Sequence, residues 1–187
     1  MTDTASLKSQ TWLSPSAALS RFKAKPILTS VNVDSQELLL GQRPARFGFR
    51  LGSYGLLLGA QVTSEVLEPL TVYRVPNTSA EWLGLVNLRG NLVPVYDLSA
   101  ILGWPRDESV KSMMLFLGQG QEMLGIMIDG LPQAPTLDQP LQRLPALPKN
   151  LQAYADQAYI DQGITWVEFD YKGFFRNYIE HLTSPSS

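Results

Sequence analysis

The chain has 187 residues, 44% of them hydrophobic, so it can bury the core of one ordinary domain or of two small ones. Its 15 lysines and arginines nearly balance its 17 aspartates and glutamates, which argues against a nucleic-acid-binding surface and against a polybasic membrane-surface protein. The lack of cysteine excludes disulfides, catalytic thiols, thiolate zinc sites and iron–sulfur clusters, and the single histidine, His181, excludes any site that needs two imidazoles.

The sequence predicts a cytoplasmic protein that does not insert into a membrane. The first 26 residues contain no apolar run typical of a signal peptide, and the densest apolar stretch, residues 56–58, is too short to span a bilayer. Composition divides the chain into three segments. We expect an N-terminal extension over residues 1–45 that is partly ordered at most, a folded domain over residues 46–182 and a disordered tail over residues 183–187.

Strand patterns begin directly after the extension. Phe47, Phe49 and Leu51 alternate with other residues at the period of two that is typical of a half-buried strand. A turn over residues 52–55 and an apolar segment complete a hairpin, and residues 113–128 repeat this arrangement. Further short strands separated by turns favour small barrels or sandwiches. These strands are expected over residues 61–67, 72–75, 85–88, 92–96 and 164–169.

Helices and a connector occupy the remaining segments. Asp97 is suited to cap a short helix over residues 98–102, which Gly103 would end. Residues 132–148 contain five prolines, so they favour an extended connector over a central strand. A final helix is expected over residues 171–182, with one apolar face. That face consists of Phe174, Phe175, Tyr178, Ile179 and Leu182.

The residues that could support catalysis have simpler structural interpretations. His181 falls in the last turn of the predicted final helix, where a partly positive imidazole complements the helix dipole. Asp97 is interpreted as a helix cap, and Asp129 with Gly130 as a turn dipeptide. No nucleophile elbow and no glycine-rich phosphate loop occurs in the sequence. We therefore expect no enzymatic activity, no cofactor and no metal.

The most informative stretch covers residues 82–98. Gly84 begins a strand, and Arg89-Gly90-Asn91 forms a tight reversal, with positive φ angles expected at Gly90 and Asn91. This places Arg89 at a rigid edge with its guanidinium pointing outward. From the residues alone it is either a solvated turn arginine or a recognition residue.

The same stretch resembles the hallmark segment of CheW-like domains, the adaptor modules of bacterial chemosensory arrays. The shared pattern is Gly84, two hydrophobic residues, Asn87-Leu88-Arg89-Gly90, then Pro94-Val95 and Asp97-Leu98. Residues 49–55 are similar to the family's first hairpin, and residues 125–130 to its second. Glu65 falls at the position of the family's glutamate, and the resemblance covers residues 46–182.

The resemblance implies an all-β fold of two five-stranded SH3-like barrels with short helices and a C-terminal helix. It also implies a non-enzymatic adaptor that binds the regulatory domain of a CheA-type histidine kinase and the cytoplasmic tip of a chemoreceptor. The extension and the aromatic C-terminal helix are most similar to the PilI adaptors of type IV pilus, or twitching motility, systems. The residues that the resemblance assigns to partner contacts are Glu65, Gly84, Asn87, Arg89 and Gly90.

Three alternatives stay open at the level of sequence. One is an SH3-like module that binds proline-rich peptides, although most aromatic residues lie at core positions of strands and helices. Another is a flagellar rather than a pilus adaptor. The last is a small β-barrel hydrolase that uses Asp97 and Asp129, for which the sequence offers no acid–base arrangement.

Overall fold

The computed structural model describes residues 46–183, and within them it shows nine strands, three α-helices and one 3₁₀ turn. The strands are β1 (Phe47–Leu51), β2 (Tyr54–Leu58), β3 (Ser64–Leu67), β4 (Trp82–Leu88), β5 (Asn91–Tyr96), β6 (Ser112–Leu117), β7 (Leu124–Gln133), β8 (Ala155–Asp161) and β9 (Ile164–Phe169). The helices are α1 (Leu98–Leu102), α2 (Lys149–Gln152) and α3 (Tyr171–Thr183), and the 3₁₀ turn is Gly120–Glu122. The predicted extension, residues 1–45, and residues 184–187 of the predicted tail lie outside the described residues, whereas Thr183, the first residue of that tail, is the last residue of α3.

Strand β7 joins two sets of five hydrogen-bonded strands. Its first half pairs with β6 and with β5, and its second half pairs with β1. The first set has the order β8-β9-β2-β1-β7, and the second has the order β3-β6-β7-β5-β4. The β2–β9 and β5–β7 pairs are parallel, whereas the other pairs are antiparallel. These pairings are compatible with two five-stranded units, while the closure of each unit into a barrel stays a prediction.

The core lies on both faces of the central strands. Leu56 and Leu58 of β2 pack into the largest apolar cluster, whereas Leu57 points the other way and packs with Tyr159 and Trp166. In the same way, Met113, Leu115 and Leu117 of β6 pack into the largest cluster, whereas Met114 and Phe116 pack into a separate apolar cluster. A strand that is buried on both faces needs a continuous apolar sequence. This explains why the LLL and MMLFL segments lack the alternation of a half-buried strand.

Local signals predicted the short helix α1 correctly. The side chain of Asp97 accepts a hydrogen bond from the Ala100 backbone at 3.1 Å, which caps the first turn. Gly103 ends the helix with a φ angle of 66°, a left-handed conformation that glycine adopts without strain. The β1–β2 and β6–β7 hairpins also lie where the residue pattern placed them.

Several strand predictions were wrong in their extent. The strand expected over residues 61–67 begins only at Ser64, and the one over residues 72–75 is reduced to a single bridge between Tyr73 and Leu85. Strand β8 was missed. Strand β7 continues through Pro132, the first residue of the predicted connector. Its pairing with β1 is irregular there, so the missing proline N–H interrupts no regular ladder.

Helix α3 anchors the C-terminal part of the chain to the core. The ring of Phe175 lies 5.3 Å from that of Tyr96, and the ring of Phe174 lies 5.4 Å from that of Phe169. Burial of Tyr96 within this aromatic group raises the pKa of its phenol. The predicted apolar face packs on the core only in its first half, where Phe174 and Phe175 are buried. Ile179 and Leu182 are 38% and 44% exposed, because the ring contacts of the helix with the domain end at Tyr178.

Candidate functional site

A tight turn connects β4 and β5. Leu88 pairs with Asn91 across the two strands, so the turn consists of Arg89 and Gly90 alone. Their φ angles are 53° and 89°, as a two-residue hairpin of the primed type requires. The predicted reversal is therefore present, but its positive φ angles fall on Arg89 and Gly90. Asn91 is instead the first residue of β5.

Asn87 stabilises this turn through its side chain. Its Oδ1 atom accepts a hydrogen bond from the backbone N–H of Gly90 at 2.8 Å. Asn87 is exposed, yet its amide is oriented toward the turn that follows. The asparagine therefore fixes the backbone that carries Arg89, which is a positioning role in addition to any contact with a partner.

Arg89 and Glu65 form a two-pronged ion pair. Nη1 of Arg89 donates to Oε2 of Glu65 at 2.9 Å, and Nη2 donates to Oε1 of the same carboxylate. Glu65 is held on β3, where it pairs with Phe116 of β6. The side chain of Arg89 is nevertheless 73% exposed and that of Glu65 is 28% exposed. Arg89 is thus neither a free solvated arginine nor a buried one, and its outer edge is open to a partner.

Gly84 lies inside the structure. It is buried with a φ angle of 137°, and a Cβ atom at this position would lie 2.3 Å from the backbone oxygen of Tyr73. The close approach allows Tyr73 and Leu85 to exchange two backbone hydrogen bonds of 2.8 and 2.9 Å. Gly84 therefore shapes the site, because its lack of a side chain allows residues 72–75 to pack against β4.

An apolar patch beside the ion pair was missed at the level of sequence. Tyr73 and Leu92 are 62% and 66% exposed. Tyr73 is bridged to Leu85, which pairs with Pro94, so these side chains share the outer face of the β4–β5 hairpin with Leu92. The alternation of apolar core positions with outward positions in β5 could have predicted this patch. The valines of β5 are buried, so Leu92 and Pro94 must face outward.

Asp129 contradicts the prediction of a turn residue. It lies within β7 and is only 3% exposed. Its Oδ2 atom accepts hydrogen bonds from the backbone of Gly52 at 2.6 Å and of Asp107 at 3.1 Å. Its Oδ1 atom lies 3.5 Å from Nε of Arg106. The carboxylate therefore ties the β1–β2 turn and the loop before β6 to β7.

The charged or ionisable residues Arg106, Asp107 and His181 interact with other groups of the domain. Arg106 also approaches Asp97 at 3.8 Å, and hydrogen bonds from Ser109 lower the pKa of Asp107. His181 lies in the last turn of α3, with Nδ1 2.7 Å from the backbone oxygen of Asn177. Over residues 46–183 no group of three or more histidine, aspartate or glutamate side chains is arranged to hold a metal ion. None of the helices in this part of the chain has the length and apolar character needed to cross a membrane.

The fold and the site define a β-rich domain with an exposed ion pair and an apolar surface, as in a protein-interaction module. The family model of the CheW-like domain matches residues 47–177, and the chain therefore belongs to the CheW-like domain family. Membership in this family of scaffolds makes it a non-enzymatic protein.

Two individual proteins illustrate the relationship. The chain is 25% identical over 125 residues to a probable chemotaxis protein CheW of Rhizobium etli, an alignment that covers 66% of this chain and 76% of that protein. Its structure is similar to the crystal structure of the scaffolding protein TtCheW from Thermoanaerobacter tengcongensis, with a TM-score of 0.59 and 17% identity. That match covers 73% of this chain and 91% of the other, which shows the CheW-like fold. These matches contain nothing specific to PilI.

Proposed function

We propose that this chain is a cytoplasmic adaptor that couples chemoreceptors to a CheA-type histidine kinase in bacterial chemosensory signalling. Its membership in the CheW-like family supports this role, as does its similarity to a probable chemotaxis protein. The observation that carries the proposal is an arginine on a tight turn with most of its side chain exposed. Such a group adds orientation and specificity to a protein interface.

The partner-binding residues are those assigned from the hallmark segment. Arg89 and Glu65 contact the partner, the kinase regulatory domain or the receptor tip, through the atoms that their mutual ion pair leaves exposed. Asn87 and Gly90 hold the turn in the conformation that presents Arg89. Gly84 contributes indirectly. Because it has no side chain, the segment that carries the exposed Tyr73 can pack closely against β4. The apolar patch with Leu92 supplies contact area beside the charged pair.

The architecture and the subtype are finer parts of the same proposal. Residues 46–182 form the CheW-like domain with two SH3-like barrels, preceded by an extension over residues 1–45 and followed by a tail over residues 183–187. The two five-stranded sets that share β7 support the two barrels. The aromatic helix α3 supports a PilI-type adaptor of a type IV pilus system.

The test is a titration of the purified full-length chain with a CheA-type regulatory domain and with a receptor cytoplasmic tip. A transient signalling interface of roughly 1,000–1,600 Å² predicts dissociation constants on the micromolar scale for both. Binding to proline-rich peptides without binding to either partner would instead support the SH3-like alternative. Affinity purification from the native cell distinguishes the subtypes, because the co-purified kinase belongs either to a pilus or to a flagellar system.

A further inference from the structure

The base of the β4–β5 hairpin contains a β-bulge. Trp82 of β4 lies opposite Tyr96 of β5, whereas Gly84 lies opposite Val95. A step of two residues along β4 thus matches a step of one residue along β5, and Leu83 is the extra residue. A bulge bends its strand and changes the direction of the groups around it, and many bulges lie beside functional sites. This one lies on the strand that leads to the exposed tip of the hairpin.

The indole of Trp82 spans this bulge. Its Nε1–H group donates a hydrogen bond to the carbonyl oxygen of Gly84 at 3.1 Å. The centroid of the Trp82 ring lies 6.3 Å from that of Tyr96, and the ring of Tyr96 lies 5.3 Å from that of Phe175 in α3. Trp82 is half-buried and packs against the largest apolar cluster. The core thus holds the indole, and the indole holds the carbonyl group of Gly84.

The other side of Gly84 packs against the segment over residues 72–75. A Cβ atom on Gly84 would lie 2.3 Å from the backbone oxygen of Tyr73, so the two backbones are in close contact. Tyr73 exchanges two backbone hydrogen bonds with Leu85, of 2.8 and 2.9 Å. This pairing is an isolated bridge with no neighbouring ladder. Its geometry therefore depends on the position of the backbone at Gly84 and Leu85.

The bridge determines where the side chain of Tyr73 lies. This side chain is 62% exposed, and its place on the outer face of the hairpin follows from the pairing with Leu85. Tyrosine is a frequent anchor of protein interfaces, because its ring supplies a large contact area at a low cost in conformational entropy. A shift of the backbone at Gly84 would therefore move a prominent residue of the apolar patch.

We propose that Trp82 is a positioning residue for the partner-binding surface. Its indole holds the carbonyl group of Gly84 and thereby fixes the bulge. The fixed bulge supports the bridge between Leu85 and Tyr73, which presents the tyrosine on the outer face of the hairpin. Trp82 thus acts on binding through Tyr73 and not through its own contact with a partner. The inference rests on the proposed function, because it concerns the surface that binds the partner there.

Hydrogen exchange in the full-length chain tests the local part of this proposal. Trp82→Phe keeps a ring that can stack on Tyr96 but removes the N–H donor. The net effect of one hydrogen bond corresponds to about a fivefold change in an equilibrium, so the amides of Tyr73 and Leu85 should exchange about fivefold faster. Trp104→Phe, at a half-buried tryptophan that also stacks on a tyrosine, is the matched control and should leave both amides at the parental rate. Parental exchange in Trp82→Phe, an equal increase throughout the domain, or unfolding of this variant would overturn the proposal.

A double-mutant cycle in calorimetric titrations tests the link to binding. We expect Tyr73→Ala to weaken binding to the kinase regulatory domain or the receptor tip about tenfold, and Trp82→Phe about threefold. In the Tyr73→Ala background, Trp82→Phe should have no further effect, because the side chain that it positions is absent. Additive effects of the two changes, or parental affinity of Trp82→Phe, would overturn the positioning role and leave the proposed function intact. Absence of binding by the parental chain would overturn both.

Discussion

Two arginine–carboxylate pairs occupy contrasting places in this domain. Arg89 and Glu65 meet at the tip of the β4–β5 hairpin, where the arginine side chain is 73% exposed. Arg106 and Asp129 meet beneath the β1–β2 turn, where the arginine side chain is 26% exposed and the aspartate side chain 1%. The arginine of the hairpin pair is open to solvent, whereas the buried carboxylate of the second pair also accepts two backbone hydrogen bonds.

The difference in burial determines what each pair can contribute. An exposed ion pair stabilises a fold by about 0–1 kcal/mol at most, because water and salt screen it. A buried carboxylate without its partners is strongly destabilising, because no water replaces the lost donors. We therefore infer that the Asp129 cluster holds the fold together. The Arg89 pair contributes little stability, and its guanidinium is accessible to a partner.

The largest effect is expected from Asp129→Ala. The change leaves the backbone N–H groups of Gly52 and Asp107 without their acceptor and removes the nearer of the two carboxylates beside Arg106. Removing one partner of a buried pair typically costs about 3–5 kcal/mol, so we expect a loss of about 3 kcal/mol in urea unfolding. Glu68→Ala, at a carboxylate whose side chain is 65% exposed, is the control and should change stability by less than about 0.5 kcal/mol. Equal midpoints for both variants would remove the contrast between the two pairs.

A smaller loss is expected from Gly84→Ala, which tests whether the backbone fixes the hairpin. The added methyl group would collide with the backbone oxygen of Tyr73 at a residue with a φ angle of 137°. Strain of this kind costs about 1–3 kcal/mol, which a thermal melt detects as a lower midpoint. Gly59→Ala is the matched control, because its added methyl group meets nothing within 4 Å. If both variants melt like the parent, the approach of residues 72–75 to β4 is not what fixes the hairpin.

Asn87→Ala should have a moderate effect on the same hairpin. It removes the acceptor of the 2.8 Å hydrogen bond from Gly90. A net loss of about 1 kcal/mol is typical of one hydrogen bond, and chemical denaturation measures it. Asn87→Asp keeps an oxygen acceptor and should retain most of the stability. A result in which Asp at this position is as destabilising as Ala would contradict the positioning role of the side-chain oxygen.

Local features of the sequence predicted local features of the structure. Asp97 and Gly103 mark the two ends of α1, because a cap acts within a few residues of its own position. The reversal at Arg89 and Gly90 was predicted for the same reason, although its positive φ angles are shifted by one residue. Strand β8 was missed because its sequence has only weak alternation. It forms through pairing with β9.

Long-range contacts were not predictable from local patterns. Asp129 and Gly130 have the composition of a turn, but Asp129 binds Gly52, which lies 77 residues away. Glu65 and Arg89 were both singled out from the family resemblance, yet their ion pair joins residues 24 apart that lie on two different strand pairs, β3–β6 and the β4–β5 hairpin. Only the pairing of the strands places these side chains together, and local sequence patterns do not show which distant strands pair.

The central claim is that Arg89 serves binding and not folding, and one variant tests it most directly. Arg89→Ala should change the free energy of unfolding by no more than about 0.5 kcal/mol, because the side chain is exposed. In calorimetric titrations with the kinase regulatory domain and the receptor tip, it should weaken binding to at least one partner about thirtyfold, or by roughly 2 kcal/mol. Lys111→Ala, which breaks the exposed pair with Glu68, is the control and should change neither quantity. Parental affinity of Arg89→Ala for both partners, or unfolding of this variant, would contradict the account.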